Sequence, residues 1–357
     1  MNRTANDIQA IIERHALNLS GLTILTEAAS GAYLYTPIMA AMAGAEKVVA
    51  VAADSRFGKA SDIIAQTMKI AEDLGLDGKI FIETDKNKID YSQIDIVTNS
   101  GFVRPIDRQV IEKLKKTAVI PLMWETWEYR GDEVDLQACK ENDILVLGTY
   151  ESHPDIDIDP YVGMLLLKML FEMGLSGYKS KIILISSHIF GDRLQEACVH
   201  LGIEYVWFSD KNKHARPLIE LTDFVGDNLE SYDAIILAEL KDDQCFIGEG
   251  CLLESRELKK LNPDIKIGVI AGNIDLKGLD EVGISYIPKI LAPPKYVSYQ
   301  IYQLGSLPVL ELYAAGLKVG QVMARIRKDK GGDVREAAQY ALANSPAMDF
   351  MDEMSWL

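Results

Sequence analysis

Histidine is scarce in this chain, five in 357 residues, and no H-E-x-x-H or similar ligand spacing occurs, so no metal site is expected. Cysteine is scarcer still: Cys139, Cys198, Cys245 and Cys251 form no C-x-x-C pair, and "FIGEG" separates the last two. With an amphipathic helix at the start and no secretory leader, that spacing points to a reducing cytoplasm and not to a disulfide compartment. Basic residues are outnumbered, 37 Lys and Arg against 53 Asp and Glu, for a formal charge of -16. The short clusters "KLKK", "DKNKH" and "RIRKDK" stand next to acids and read as solvated turns and helix ends, which argues against nucleic acid and anionic membranes as partners. The most apolar segment, "MLLLKMLFE", is broken by Lys168 and Glu172 and is no membrane span.

What the chain does have is core: at 48% hydrophobic composition it carries more than one core comfortably absorbs, so two domains are the natural expectation. After the opening helix, apolar runs such as "LTILTEA", "KVVAVAAD", "KIFIET", "DIVTNS", "TAVIPLM" and "DILVLGT" alternate with helical periods. Nearly continuous apolar strands separated by helical crossovers indicate parallel sheets covered on both faces. The alternation resumes at "KIILISS" after the apolar helix "DPYVGMLLLKMLFEMG". The fold class expected is α/β, with two doubly wound parallel-sheet domains of Rossmann-like and flavodoxin-like kind joined by long helices. The divisions are residues 1–155, an N-terminal substrate-type domain, residues 156–300, a Rossmann-like nucleotide-binding-type domain, and residues 301–357, helices packing between domains or at an oligomer interface. A homodimer is compatible with those helices.

Ligands of open parallel sheets collect beyond the C-terminal strand ends, near helix N-termini. Four loops of the first domain qualify. "TEAASGAYLYTP" offers Ser30 beside Gly31, either a close backbone approach to a ligand or a capped turn. "TNSGFVRPID" offers Asn99 and Arg104, whose guanidinium either grips a carboxylate in a fork or pairs with Asp107. "LMWETWEYR" offers Glu125, Trp127, Glu128 and Arg130, and the loop after "DILVL" offers Glu151 and His153. Glu151 is close enough in sequence to orient His153 for general acid–base work; the alternative is a solvated loop. His153, Glu125 and Glu128 are the candidate catalytic groups. Ser30, Asn99, Arg104, Trp127, Arg130 and Glu151 are the candidate substrate contacts.

In the second domain, "KIILISSHIFGDRLQEACVHLGIEYVWFSD" runs strand, turn, helix, strand and terminal acid, the outline of a dinucleotide site. Gly191 and Asp210 match it. Ser186 and His188 stand where two glycines are usual, so the turn either donates to a phosphate through His188 or is filled by it. Asn273, after "IGVIA", completes the candidate cofactor contacts.

The order of these pieces resembles the D-2-hydroxyacid dehydrogenase superfamily, including formate and glycerate dehydrogenases, and more distantly S-adenosylhomocysteine hydrolase. "IEKLKKTAVIPLMWETWEYRGDEVDLQACKENDILVLGT" is similar to the end of that family's substrate domain, and "DPYVGMLLLKMLFEMGLSGYKSKIILISS" to its interdomain helix and first nucleotide-domain strand. The resemblance implies a hydride exchanged between NAD or NADP and a small 2-hydroxy or 2-oxo acid in the interdomain cleft. Asp210 at the second strand end favours NAD. The family's substrate arginine is replaced by Gly272 and Asn273, and Lys289 follows Pro288 where its histidine is expected. The expectation is therefore an NAD(P)-dependent oxidoreductase of a small carboxylate or amino-acid-like substrate. The alternative is a non-redox enzyme, or a protein binding a small polar or anionic molecule, with a degenerate Rossmann domain and no cofactor.

Overall fold

Apolar runs become strands wherever both faces of a sheet are covered, and the first such set builds a seven-stranded sheet. Its parallel members are β1 (Thr23–Glu27), β2 (Lys47–Val51), β3 (Ile80–Glu83), β4 (Ile96–Val97), β5 (Val119–Pro121) and β6 (Leu145–Thr149). They lie in the order β3-β2-β1-β4-β5-β6, and the short strand Ala347–Met348 adds antiparallel to β6. Ile24 of β1 lies opposite Val48 on one side and Ile96 on the other, and β5 and β6 are buried throughout. The computed structural model describes residues 3–156, 158–240, 244–293 and 296–357, and it divides into two units, Met1–Ile158 with Gly305–Leu357, and Asp159–Leu304.

The long helix Ser306–Asp329 belongs to the first unit, where the sequence pattern sets residues 301–357 apart. Its glycines explain the fit: a Cβ at Gly316 would stand 2.5 Å from Met123 Cε, and one at Gly320 2.9 Å from both Ile96 and Pro121. Close approach buries Leu310, Ala314, Leu317 and Met323 on the same core as β4 to β6.

The second unit has β7 (Lys181–Ile185), β8 (Glu204–Phe208), β9 (Ala234–Ala238), β10 (Cys245–Gly248), β11 (Leu253–Glu254), β12 (Lys266–Ala271), β13 (Asn273–Ile274) and β14 (Ser285–Ile287). A five-stranded parallel sheet runs β8-β7-β9-β12-β14, beside a small sheet β11-β10-β13. Two doubly wound parallel sheets are thus present. The first unit has the six-strand dinucleotide-type order, because β3 adds outside β2, and the second has the five-strand flavodoxin-like order. Cys245 and Cys251 form a disulfide across the β10 turn, with Cα atoms 4.9 Å apart, while Cys139 and Cys198 are buried free thiols. That corrects the expectation of four thiols; pairing needs only close Cβ atoms, which a tight turn supplies without C-x-x-C spacing.

Candidate functional site

The strands of the first unit release their loops at one edge of the sheet, and strand order reverses between β1 and β4. The loop after β5 carries Glu125, which is buried and satisfied on both oxygens. Trp127 Nε1 donates to its Oε2 at 2.6 Å, and the Glu151 amide, from the loop after β6, donates to its Oε1 at 3.1 Å. Glu125 therefore ties two strand ends together, and it holds the indole of Trp127 with one edge in solvent.

Glu128 sits half-buried beside Arg130, Glu125 and Glu133. Burial pushes its carboxyl up to about 7; Arg130 pulls it down, and the two other carboxylates push it up. A carboxyl poised there gains or loses its proton under neutral conditions, as a general acid or base must. Glu133, which sequence reasoning missed, joins the cations. It accepts from Arg104 Nη1 and lies 3.7 Å from Arg130 Nη1. The bridge between Ile106 and Val134 places it there, with the Ile106 amide donating to the Glu133 carbonyl at 2.8 Å. The Arg104 guanidinium also covers the Trp124 ring, 5.3 Å from its centroid. Asp107, offered as the alternative partner of Arg104, instead caps a short helix by accepting from the Val110 amide at 3.0 Å.

A second group missed in the sequence is Glu27, at the end of β1, with 6% of its surface exposed. The Phe102 amide, from the loop after β4, donates to its Oε2 at 3.1 Å. Burial raises its pKa; the Phe102 amide and Arg104 oppose the rise. Behind it run paired hydroxyls: Tyr313 donates to Thr26 Oγ1 at 2.8 Å, and Thr98 Oγ1 lies 3.1 Å from Thr26 Oγ1 and 2.8 Å from Ser100 Oγ. An acid closing an otherwise apolar strand was the available signal.

The other expected contacts of this unit have local tasks. Asn99 is buried and accepts from the Met123 amide at 2.8 Å, pinning the loop after β4 to the chain after β5. Ser30 precedes the short helical turn Gly31–Tyr35 without a side-chain cap, and Gly31 takes φ +68°. His153 pairs with Asp155 and not, as expected, with Glu151: its Nδ1 accepts from the Asp155 amide at 3.2 Å and lies 3.6 Å from Asp155 Oδ2. Nearest-neighbour turn geometry supplies the closer acid.

In the second unit the turn after β7 does not fit a dinucleotide. The Ser187 amide donates to Glu239 Oε2 at 2.7 Å, and the His188 amide faces Ser186 Oγ at 3.4 Å. A carboxylate, 3% exposed, therefore occupies the position at which a phosphate would meet the turn. Ser186 donates to the Ala238 carbonyl at 2.7 Å and is fully buried. Gly191 is a packing glycine, since a Cβ there would stand 2.5 Å from Trp207 Cζ2. His188 precedes the helix Ile189–Leu201 as its N-cap residue; burial, then Lys211, lowers its pKa to about 4. Asp210 is exposed at the end of β8, its amide donating to Ser187 Oγ at 2.9 Å. Asn273 lies in β13, on the small sheet, paired with β10. Gly272, at φ +129°, could not be the family's arginine, because any Cβ would lie 2.5 Å from Leu237. Among the described residues no group of three His, Cys, Asp or Glu could hold a metal ion, and no helix is long and apolar enough to cross a membrane.

No protein-family model matches the chain, and no curated protein does. Solved structures do. One subunit of the dipicolinate synthase from Bacillus halodurans aligns with a TM-score of 0.54 at 10% identity, over 87% of this chain and 99% of that one. A 2-hydroxyacid dehydrogenase from Ketogulonicigenium vulgare Y25 aligns with a TM-score of 0.48 at 11% identity, over 88% and 97%. The NAD-dependent formate dehydrogenase from Staphylococcus aureus, in complex with NAD, aligns with a TM-score of 0.41 at 14% identity, over 80% and 96%. At 10% identity the likeness to the dipicolinate synthase subunit is one of fold alone, and the α/β fold class expected from the sequence, with two mostly parallel sheets, is present.

Proposed function

We propose that the protein is an enzyme that exchanges a proton with a small carboxylate or amino-acid-like molecule at the strand ends of the first unit. The observation that carries this reading is Glu128, a carboxyl held at about 7 within a loop that also presents Arg130. Glu128 exchanges the proton, Arg104 and Arg130 supply positive charge for a carboxylate, and Trp127 offers an apolar wall.

The reading takes two forms. In one, a hydride moves with the proton and the protein is an NAD(P)-dependent oxidoreductase, as the family resemblance implies. Its cofactor would supply the hydride chemistry. In the other the enzyme is non-redox. The second form is favoured by one observation: Glu239 already holds the Ser187 amide in the turn where the pyrophosphate was expected. Calorimetric titration of the dialysed protein with NAD and with NADP separates them. The non-redox form expects no heat from either; a saturable isotherm supports the redox form. For both forms, Glu128→Gln is expected to abolish turnover of the identified substrate with little change in its binding, and unchanged turnover would overturn the proposal.

A further inference from the structure

We propose that Cys245 and Cys251 form a redox-sensitive clasp, a disulfide that a dithiol reductant opens and an oxidant closes, and that the pairing of β11 with β10 depends on its state. The chain path here is costly without a crosslink. β10 and β11 run parallel, Ile247 opposite Leu253 and Gly248 opposite Glu254, with four residues between them. Parallel neighbours ordinarily need about a dozen connecting residues or more, because the chain must return to the starting end before it can run alongside. In this unit it returns within one tight coil. Gly248 and Gly250 take φ +143° and +70°, the disulfide fixes Cys251 beside Cys245, and the Leu252 amide donates to the Cys245 carbonyl at 3.0 Å.

Both sulfurs of the clasp belong to half-buried residues, whereas Cys139 and Cys198 are buried free thiols that burial pushes up to about 12. Among the described residues the clasp is therefore the sulfur centre within reach of a dissolved thiol. A thiolate of the reductant attacks one sulfur and the other leaves as a cysteine thiolate. The reductant's second thiol then displaces the mixed disulfide, so the reductant departs oxidised and the protein gains two electrons and two protons. The place of β11 in the fold says what opens. It is an edge strand of two residues whose strand partner is β10, and Glu254 is exposed. The five-stranded sheet contains neither β10 nor β11, and Phe246 and Ile247 stay anchored in the core with Leu258 and Leu279. Loss of the crosslink thus falls on the coil and on β11.

Hydrogen exchange read by mass spectrometry on the full chain, with and without millimolar dithiothreitol, tests this. The proposal expects native protein to be reduced at Cys245 and Cys251, exchange from Leu252 to Glu254 to rise about tenfold or more, and β7, β9 and β12 to stay protected. Oxidised glutathione should restore the protection. The double variant Cys245→Ser, Cys251→Ser is expected to exchange like reduced wild type with or without reductant; where it fails to fold, the two states of wild type decide alone. A bond that never forms, or that survives the reductant in native protein, overturns the proposal. So does equal exchange in the two states, or a folded double variant as protected as oxidised wild type. Protection lost throughout the five-stranded sheet also overturns it, because the bond is then a staple of the whole unit.

Discussion

Glu128 keeps its proton to about pH 7 in the folded protein, whereas an unfolded glutamate releases it near 4.5. Between those values the folded state binds more protons than the unfolded one, so unfolding free energy falls as pH rises. Urea melts at about pH 5 and about pH 8 are expected to show wild type losing stability relative to Glu128→Gln. Identical pH dependence of the two proteins would contradict the burial assigned to this carboxyl. His188 shifts the other way: neutral when folded, it contributes stability above its ordinary value of 6.5 that is lost as pH falls toward about 4. An NMR titration of its ring should show a midpoint well below 6.5, and an ordinary midpoint would refute the burial. Glu125, Glu128, Arg104 and Arg130 were legible in the sequence because charge after an apolar strand marks a loop at the sheet edge. Glu27 and Glu133 were not. The first looks like the end of a strand, and the second meets Arg104 only through a backbone bridge that pairs residues far apart in sequence.

Strands were legible as elements because parallel sheets buried on both faces demand continuous apolar runs, as β5 and β6 show. Their lateral order was not, since the placement of β3 outside β2 depends on which edge a crossover helix chooses. The turn after β7 shows the same limit. Its outline of strand, glycine and helix suited a phosphate, but Trp207 and Glu239 arrive from other strands and fill it. Gly191→Ala is therefore expected to act on packing. The added methyl meets the indole, and the second unit should lose about 1–3 kcal/mol in denaturant unfolding. Unchanged stability would contradict the packing assignment.

For the whole molecule, the surplus of acidic over basic residues forms a setting in which Arg104, Arg130 and their carboxylate partners stand out as a local island of paired charge. The chain also carries one covalent constraint. Thiol counting under denaturing, non-reducing conditions is expected to find two thiols, Cys139 and Cys198, and all four after reduction. Four thiols before reduction would remove the Cys245–Cys251 bond from the account. The central claim is that the small molecule binds at the first unit's strand ends and not in the turn after β7. A backbone amide shift map, recorded while the labelled protein is titrated with pooled L-amino acids and then with NAD, tests it most directly. The account expects the amino acids to move the amides around Glu128 and Arg130, with the turn from Ser186 to Gly191 silent throughout; shifts confined to that turn would contradict it.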